Sequence, residues 1–338
     1  MTDTIIRRTG RAGRITLDRP RALNALTHAQ SLEIEAAITA WADDPEVDVV
    51  VLDAMGEKAF CAGGDIAAMY HAGIAGDVES ARAFWRDEYR LNARLATYPK
   101  PIAAFMQGFT MGGGVGLGGH VGCRVVGDST RIAMPECGIG LVPDVGGSLL
   151  LARTPGHAGE YLGLTGARMK AADAIWAGFA DLYLPEDGWP DHIRKIEETG
   201  SLDALREAAR DPGASDLAAR APWIDEWFAH EDLVDALQHL EGQDDGFARE
   251  TYEAVTRGSP LSAAVTFALI RDVRGHGTIE HALDMEYRAT HRAISDGDLL
   301  EGIRAAVIDK DRTPKWRHDR IADVTGDEVA AMLAPLGT

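Results

Sequence analysis

Apolar and polar residues recur at two different periods along this chain, and the period in use changes with position. The stretch "GRITLDRP" (13–20) alternates residue by residue, which is the two-residue period of a strand with one buried face. In "LTHAQSLEIEAAITAWADD" (26–44) the period lengthens, so that Ile34, Ile38 and Trp41 share one helical face, and Thr27 and Gln30 stand at the spacing of a capping box. "VDVVVLDAMG" (47–56) is β-branched and continuously apolar, as a strand buried on both faces requires. "PIAAFMQGFTMGGG" (101–114) begins in the same way and ends in glycines, and "CRVVGDSTRIAMPE" (123–136) reads as a further strand pair. Strands separated by helices predict an α/β core with parallel pairing.

Beyond about residue 190 the strand signals thin out. Segments such as "SLDALREAAR", "WIDEWFAHEDLVDALQHLE" and "TIEHALDMEYRATHRAISDGD" carry helices with one polar face. The pattern therefore predicts a catalytic core over residues 1–195 and a mainly helical C-terminal region over 196–338 packed on it. No internal repeat or low-complexity tract interrupts either part.

Composition adds a few exclusions. With 46% hydrophobic and 26% charged residues in 338, the chain has ordinary globular character, and no apolar run approaches the roughly 18 residues of a membrane span. The first twenty residues lack an uninterrupted apolar signal core, so a non-exported, cytoplasmic protein without membrane partners is expected. Three cysteines, Cys61, Cys123 and Cys137, show no C-x-x-C spacing; this suits a reducing compartment and argues against a zinc site, and no metal is expected. A net charge of −19 disfavours nucleic acid as a partner. One local exception is the opening, where Arg7, Arg8, Arg11, Arg14, Arg19 and Arg21 face only Asp3 and Asp18. Such a patch is most often a solvated hairpin surface; its functional reading is a landing place for a phosphate-bearing ligand.

Three loops could carry chemistry. In "KAFCAGGDI" (58–66), Ala62, Gly63 and Gly64 leave the backbone N–H groups open to close approach, and Asp65 stands where it could cap the following helix. In "MGGGVGLGG" (111–119), Gly112, Gly113 and Gly114 would expose further N–H groups. Either loop read alone could be an ordinary tight turn or a site of close packing. "MPECGIGLVPDVGG" (134–147) sets two carboxylates, Glu136 and Asp144, among apolar residues that would raise their pKa. Two donor loops and a carboxylate loop form a minimal kit for acyl chemistry: N–H groups for a developing oxyanion and a carboxylate as base or nucleophile. Other candidates are weaker. Gly114, Gly116 and Gly119 match G-x-G-x-x-G, but too late in the chain for a dinucleotide site and without the acid that should end the next strand. Ser148 lacks a nucleophile elbow, Cys137 has no histidine nearby in sequence, and His120 reads as a packed helix residue.

The same segments, with "LDRPRALNAL", "MQGFTMGGGVGLGG" and "MPECGIGLVPDVGGSLLLARTPG", resemble the crotonase (enoyl-CoA hydratase/isomerase) superfamily. "FWRDEYRLN", "SPLSAAVTFALI", "DMEYRATHRA" and "EGIRAAVIDKDRTPKW" extend the resemblance along nearly the whole chain, toward the 3-hydroxyisobutyryl-CoA hydrolase branch. It implies a spiral of ββα units and an acyl-CoA substrate, a short branched 3-hydroxyacyl chain as in valine breakdown, with CoA part of the substrate and no separate cofactor. It assigns the oxyanion donors to Gly64 and Gly113, flanked by Gly63, Asp65 and Gly112. Glu136 would be nucleophile or base, Asp144 the extra acid of the branch, and Glu88 a contact to the substrate hydroxyl. Position 116 is a glycine where hydratases of the superfamily carry their first glutamate, which speaks against hydration. An acyl-CoA-binding protein without catalysis and a dinucleotide oxidoreductase are the alternatives from other classes, and self-association into a homo-oligomer is left open.

Overall fold

The β-branched run at 47–56 does become a central strand, and its neighbours explain why both of its faces are apolar. In the computed structural model, which describes residues 3–337, a hairpin of β1 (Thr4–Thr9) and β2 (Ala12–Leu17) opens a six-stranded sheet. It continues in parallel through β3 (Val49–Ala54) and three later strands. A second sheet starts with β4 (Ala59–Cys61). Each further turn of chain supplies one strand to each sheet: β5 (Ile102–Met106) and β6 (Phe109–Met111), then β7 (Cys123–Val126) and β8 (Arg131–Ala133). With β9 (Leu182–Tyr183) at its edge, the large sheet runs β1-β2-β3-β5-β7-β9 and the small one β4-β6-β8. This is the ββα spiral that the resemblance implies. The strand pair expected in 123–136 is therefore two strands of different sheets, β7 beside β5 and β8 beside β6.

Local signals hold where they are chemically specific. The helix α1 (His28–Ala42) begins with the expected capping box: Thr27 Oγ1 accepts from the Gln30 N–H at 3.2 Å and Gln30 Oε1 accepts from the Thr27 N–H at 3.1 Å.

The chain divides into two compact units, and a single cut near residue 195 does not describe them. The first contains residues 1–64, 87–133 and 168–218; the second contains 65–86, 134–167 and 219–338. The reason is burial. Trp189, Ile193, Ile196, Leu202 and Leu205 pack in one core with Val49, Val51, Phe105 and Val125 of the large sheet, so a boundary at 195 would cut through the helix Trp189–Thr199. In the second unit the helix Pro260–His276 lies against the helix Ala158–Thr165. A side chain at Gly163 would meet Ile270 at 3.0 Å, and the fully buried Glu160 accepts from two nitrogens of Arg274 at 2.7 Å each. The region after 196 is largely helical, as its periodicity predicts. No described helix is long and apolar enough to cross a membrane.

Candidate functional site

The glycine loops lie in the first unit. Beyond β4 the chain turns at Gly63, whose φ of 109° is a conformation that side chains rarely adopt. The loop is held from the "RALNAL" segment: the Leu26 N–H donates to Gly63 O at 2.8 Å and the Ala62 N–H to Leu23 O at 3.1 Å. That segment is itself braced by Asn24, left-handed at φ 55° and buried, which donates from Nδ2 to Met55 O and Ala59 O at 3.0 and 2.8 Å. Gly112, also at positive φ, precedes the short helix α2 (Gly113–Gly118).

Gly113 comes to lie against Gly64. A Cβ on Gly113 would sit 3.4 Å from the Gly64 nitrogen and 2.7 Å from Oε1 of Glu88, a nearly fully buried residue on the helix Val78–Ala96. Sequence reasoning named these three residues separately; the fold brings them together. Among the described residues, neither the Gly64 nor the Gly113 N–H donates to a backbone carbonyl. Gly114 has a packing reason instead, since a side chain there would strike the Cys61 carbonyl oxygen at 2.1 Å. Asp65 differs from its expected role: it precedes the helix Ile66–Ile74, but its side chain makes no capping hydrogen bond.

The carboxylates lie in the second unit. Glu136 opens a short 3-10 turn after Pro135, and both Glu136 and Asp144 are 5% exposed. Oε2 of Glu136 has no hydrogen-bond partner. Burial, then the charges of Asp144 and Glu286, push the Glu136 carboxyl well above the usual carboxylate range. Asp144 is followed by two left-handed residues, Val145 at φ 56° and Gly146 at φ 78°. For a β-branched residue that conformation costs about 1–3 kcal/mol, and it persists only where surrounding contacts enforce it.

Glu286 binds the residues just beyond Val145, and it was not singled out from the sequence. It sits fully buried on the helix Ile279–Ala293. Its Oε2 accepts from the Gly146 N–H at 2.7 Å, and its Oε1 accepts from the Ser148 N–H at 3.0 Å and from the Ser148 hydroxyl. Burial raises its pKa to about 8. A signal existed: Glu286 falls on the stripe of Ala282, Ala289 and Ala293, an acid in a line of small apolar residues.

The weaker nucleophiles recede. Burial pushes the Cys137 thiol up to about 12, and its sulfur lies 3.2 Å from the Thr266 hydroxyl. Ser148 is buried and bonded to Glu286. His120 lies just past α2 rather than within it, and Gly116 is buried inside that helix. Asp272, His276 and His281, none of them singled out from the sequence, bring their donor atoms within 4.8 Å of one another. The arginine-rich opening is largely self-neutralised: Arg11 pairs with Asp48, Arg14 with Asp53 and Glu197, Arg19 with Asp3, and Arg8 with Asp44. Arg21 instead lines a cleft of ≈ 520 Å³ together with Asn24, Met55, Glu57 and Lys58.

Residues 12–333 match the family model for enoyl-CoA hydratase/isomerase. The mitochondrial 3-hydroxyisobutyryl-CoA hydrolase of Danio rerio is 37% identical over 345 residues, 96% of this chain and 87% of that protein. The corresponding protein of Homo sapiens is 33% identical over 99% of this chain and 89% of its own length. Among solved structures, an enoyl-CoA hydratase from Rhodobacter sphaeroides 2.4.1 is 53% identical with a TM-score of 0.94, covering 99% of this chain and 98% of that one. A carnitinyl-CoA dehydratase from Mycobacterium thermoresistibile is 42% identical with a TM-score of 0.95, covering 99% and 97%. The names agree on CoA esters and differ on the reaction.

Proposed function

The chain belongs to the enoyl-CoA hydratase/isomerase family, and from that premise we propose that it hydrolyses an acyl-CoA thioester, 3-hydroxyisobutyryl-CoA, to the free hydroxy acid and CoA. The observation that carries this reading is the chemistry of Glu136: a buried carboxylate with an unbonded oxygen and a raised pKa, accompanied by Asp144, in a chain whose position 116 is glycine. A hydration needs an acid and a base acting across a double bond. A thioester hydrolysis needs one oxygen nucleophile and a place for the oxyanion.

In this reading the Gly64 and Gly113 N–H groups hold the thioester oxygen. Glu136, once ionised, adds an oxygen to the carbonyl carbon, either its own, giving an anhydride that water then opens, or that of a water it deprotonates. The carbon–sulfur bond breaks and CoA departs as a thiolate; with a thiol pKa of about 8.5 it needs little protonation to leave. Asp144 orients Glu136 or takes up the proton, and Glu88, packed against Gly113, meets the substrate hydroxyl with Gly63, Asp65 and Gly112 shaping the loops around it. Arg21 and Lys58 offer charge to the CoA phosphates.

The test is release of CoA thiol from 3-hydroxyisobutyryl-CoA, read with a thiol reagent, alongside hydration of crotonyl-CoA read by loss of ultraviolet absorbance. Thiol release by the wild type, lost by about 10³-fold in Glu136→Gln and without hydration, is the expected result. Hydration without thiol release would overturn the reading in favour of the hydratase activity named for the Rhodobacter sphaeroides protein.

A further inference from the structure

Asp144 sits at the head of a turn that a carboxylate from elsewhere in the second unit grips by hydrogen bonds. Val145 and Gly146 are both left-handed, so the N–H groups of Gly146 and Ser148 converge into a small anion-binding concavity. Many such concavities hold a phosphate or another free anion. Here the occupant is built in: Glu286, 138 residues beyond Ser148 in sequence, fills it with both carboxylate oxygens. The turn is also closed by the Gly147 N–H, which donates to Asp144 O at 2.7 Å and constrains the Asp144 backbone.

Three features distinguish this from ordinary packing. The group is an acid although the site is fully buried, where a leucine or methionine would fill space without the burden of a buried carboxyl. All three of its donors belong to Gly146 and Ser148, within three residues of the left-handed Val145. The charges that act on it include those of Asp144 and Glu136, the two acids of the proposed reaction. A purely structural anchor would not be expected to crowd a third acid beside the two reactive ones.

We propose that Glu286 is a positioning residue for turnover: by holding the Gly146 and Ser148 donors it locks Val145 in its left-handed conformation and so fixes where Asp144 presents its carboxylate. This rests on the thioester-hydrolase reading of Glu136 and Asp144. Glutamine preserves the volume of Glu286 but replaces one acceptor oxygen with an NH₂ group that opposes either the Gly146 N–H or the Ser148 donors. The turn then loses one of its two anchors while the packing stays.

The experiment measures kcat, KM and the thermal midpoint of the full-length wild type, Glu286→Gln and Ser148→Ala, with crystal structures of all three. In Glu286→Gln, kcat is expected to fall by about 30- to 100-fold with KM within about twofold, because a misplacement of about 1 Å at a reacting group costs about 10²-fold. A folded Glu286→Gln with wild-type kcat would overturn the proposal. Should that variant fail to fold, Ser148→Ala decides, since it removes one of three donors and leaves both amides: a several-fold loss of kcat at unchanged KM and thermal midpoint supports positioning, and an unchanged kcat rejects it. If the wild type itself releases no thiol, the hydrolase reading has failed separately. The positioning claim is then judged on the crystal structures: Val145 leaving the left-handed region in Glu286→Gln sustains it, and an unmoved turn refutes it.

Discussion

The first unit supplies the proposed oxyanion donors from backbone, and the second supplies the proposed reacting acids from side chains. At Gly64 and Gly113 the working groups are amides, which no substitution short of proline removes and which are otherwise disabled only by displacement; the sequence must therefore keep side chains away. At Glu136, Asp144 and Glu286 the working groups are carboxyls, whose behaviour depends on burial and on one another's charge. The contrast teaches that the two halves should fail in different ways. A backbone donor should fail by geometry and a buried acid by chemistry, even where the losses of turnover are similar in size.

The largest effects set these failures side by side. Beside the loss of about 10³-fold expected for Glu136→Gln, Gly113→Ala should lower kcat by about 10²-fold, the usual consequence of losing one oxyanion donor. Its new methyl group would press on Glu88 Oε1, the end of a side chain able to yield, so the protein should remain folded and circular dichroism should match the wild type. Full activity in Gly113→Ala would remove the backbone half of the comparison, leaving the carboxylates to act without this donor.

The next test separates the units by pH. Glu286 titrates near about 8 in the folded protein, against about 4.3 for an unperturbed glutamate, and Glu136 is shifted in the same direction. A carboxyl with a raised native pKa is protonated in the folded state over a range where the unfolded chain has already lost its proton. The folded state then binds more protons, and stability falls as pH rises from about 4.3 to about 8. Turnover has the opposite sign, rising with pH as Glu136 becomes ionised. Urea denaturation midpoints at several pH values across this window, for the wild type and Glu286→Gln, should show a downward slope that the variant flattens. An unchanged slope in the variant would mean that Glu286 is ionised throughout, held so by its three hydrogen-bond donors.

The asymmetry between backbone and side chain also governs what could be read from the sequence. The strands and the Thr27–Gln30 capping box were legible because period and cap chemistry are local. Gly64, Gly113, Glu136 and Asp144 could be proposed because glycine clusters and acids in apolar loops are conspicuous where they stand. The partition of the chain was not legible, since Ile196 and Leu205 follow the same helical period whether they cover a sheet or begin a separate region; only their packing with Val49 and Phe105 decides. Glu286 was missed for the same reason. An acid on a helix is ordinarily solvated, and the donors that justify its burial lie 138 residues away at Ser148.

The smallest expected effect concerns charge at the opening of the chain, where six arginines suggested a phosphate site. The fold sorts them by partner: Arg11 is held by Asp48 at 2.6 Å and Arg14 by Asp53 and Glu197, whereas Arg21 lines a cleft with Lys58. If the CoA phosphates are met there, Arg21→Ala and Lys58→Ala should each raise KM by about 2- to 5-fold at low salt and leave kcat unchanged, because a solvated ionic contact is weak and affects binding rather than the reacting centre. The increase should shrink at about 0.5 M salt as screening removes what the substitution removed. Arg11→Ala is the matched comparison, an arginine of the same stretch already neutralised by its own partner, and it should leave KM within error. Equal increases in all three variants would mean that the substrate senses the diffuse field of the opening, and the cleft would lose its claim to the phosphates.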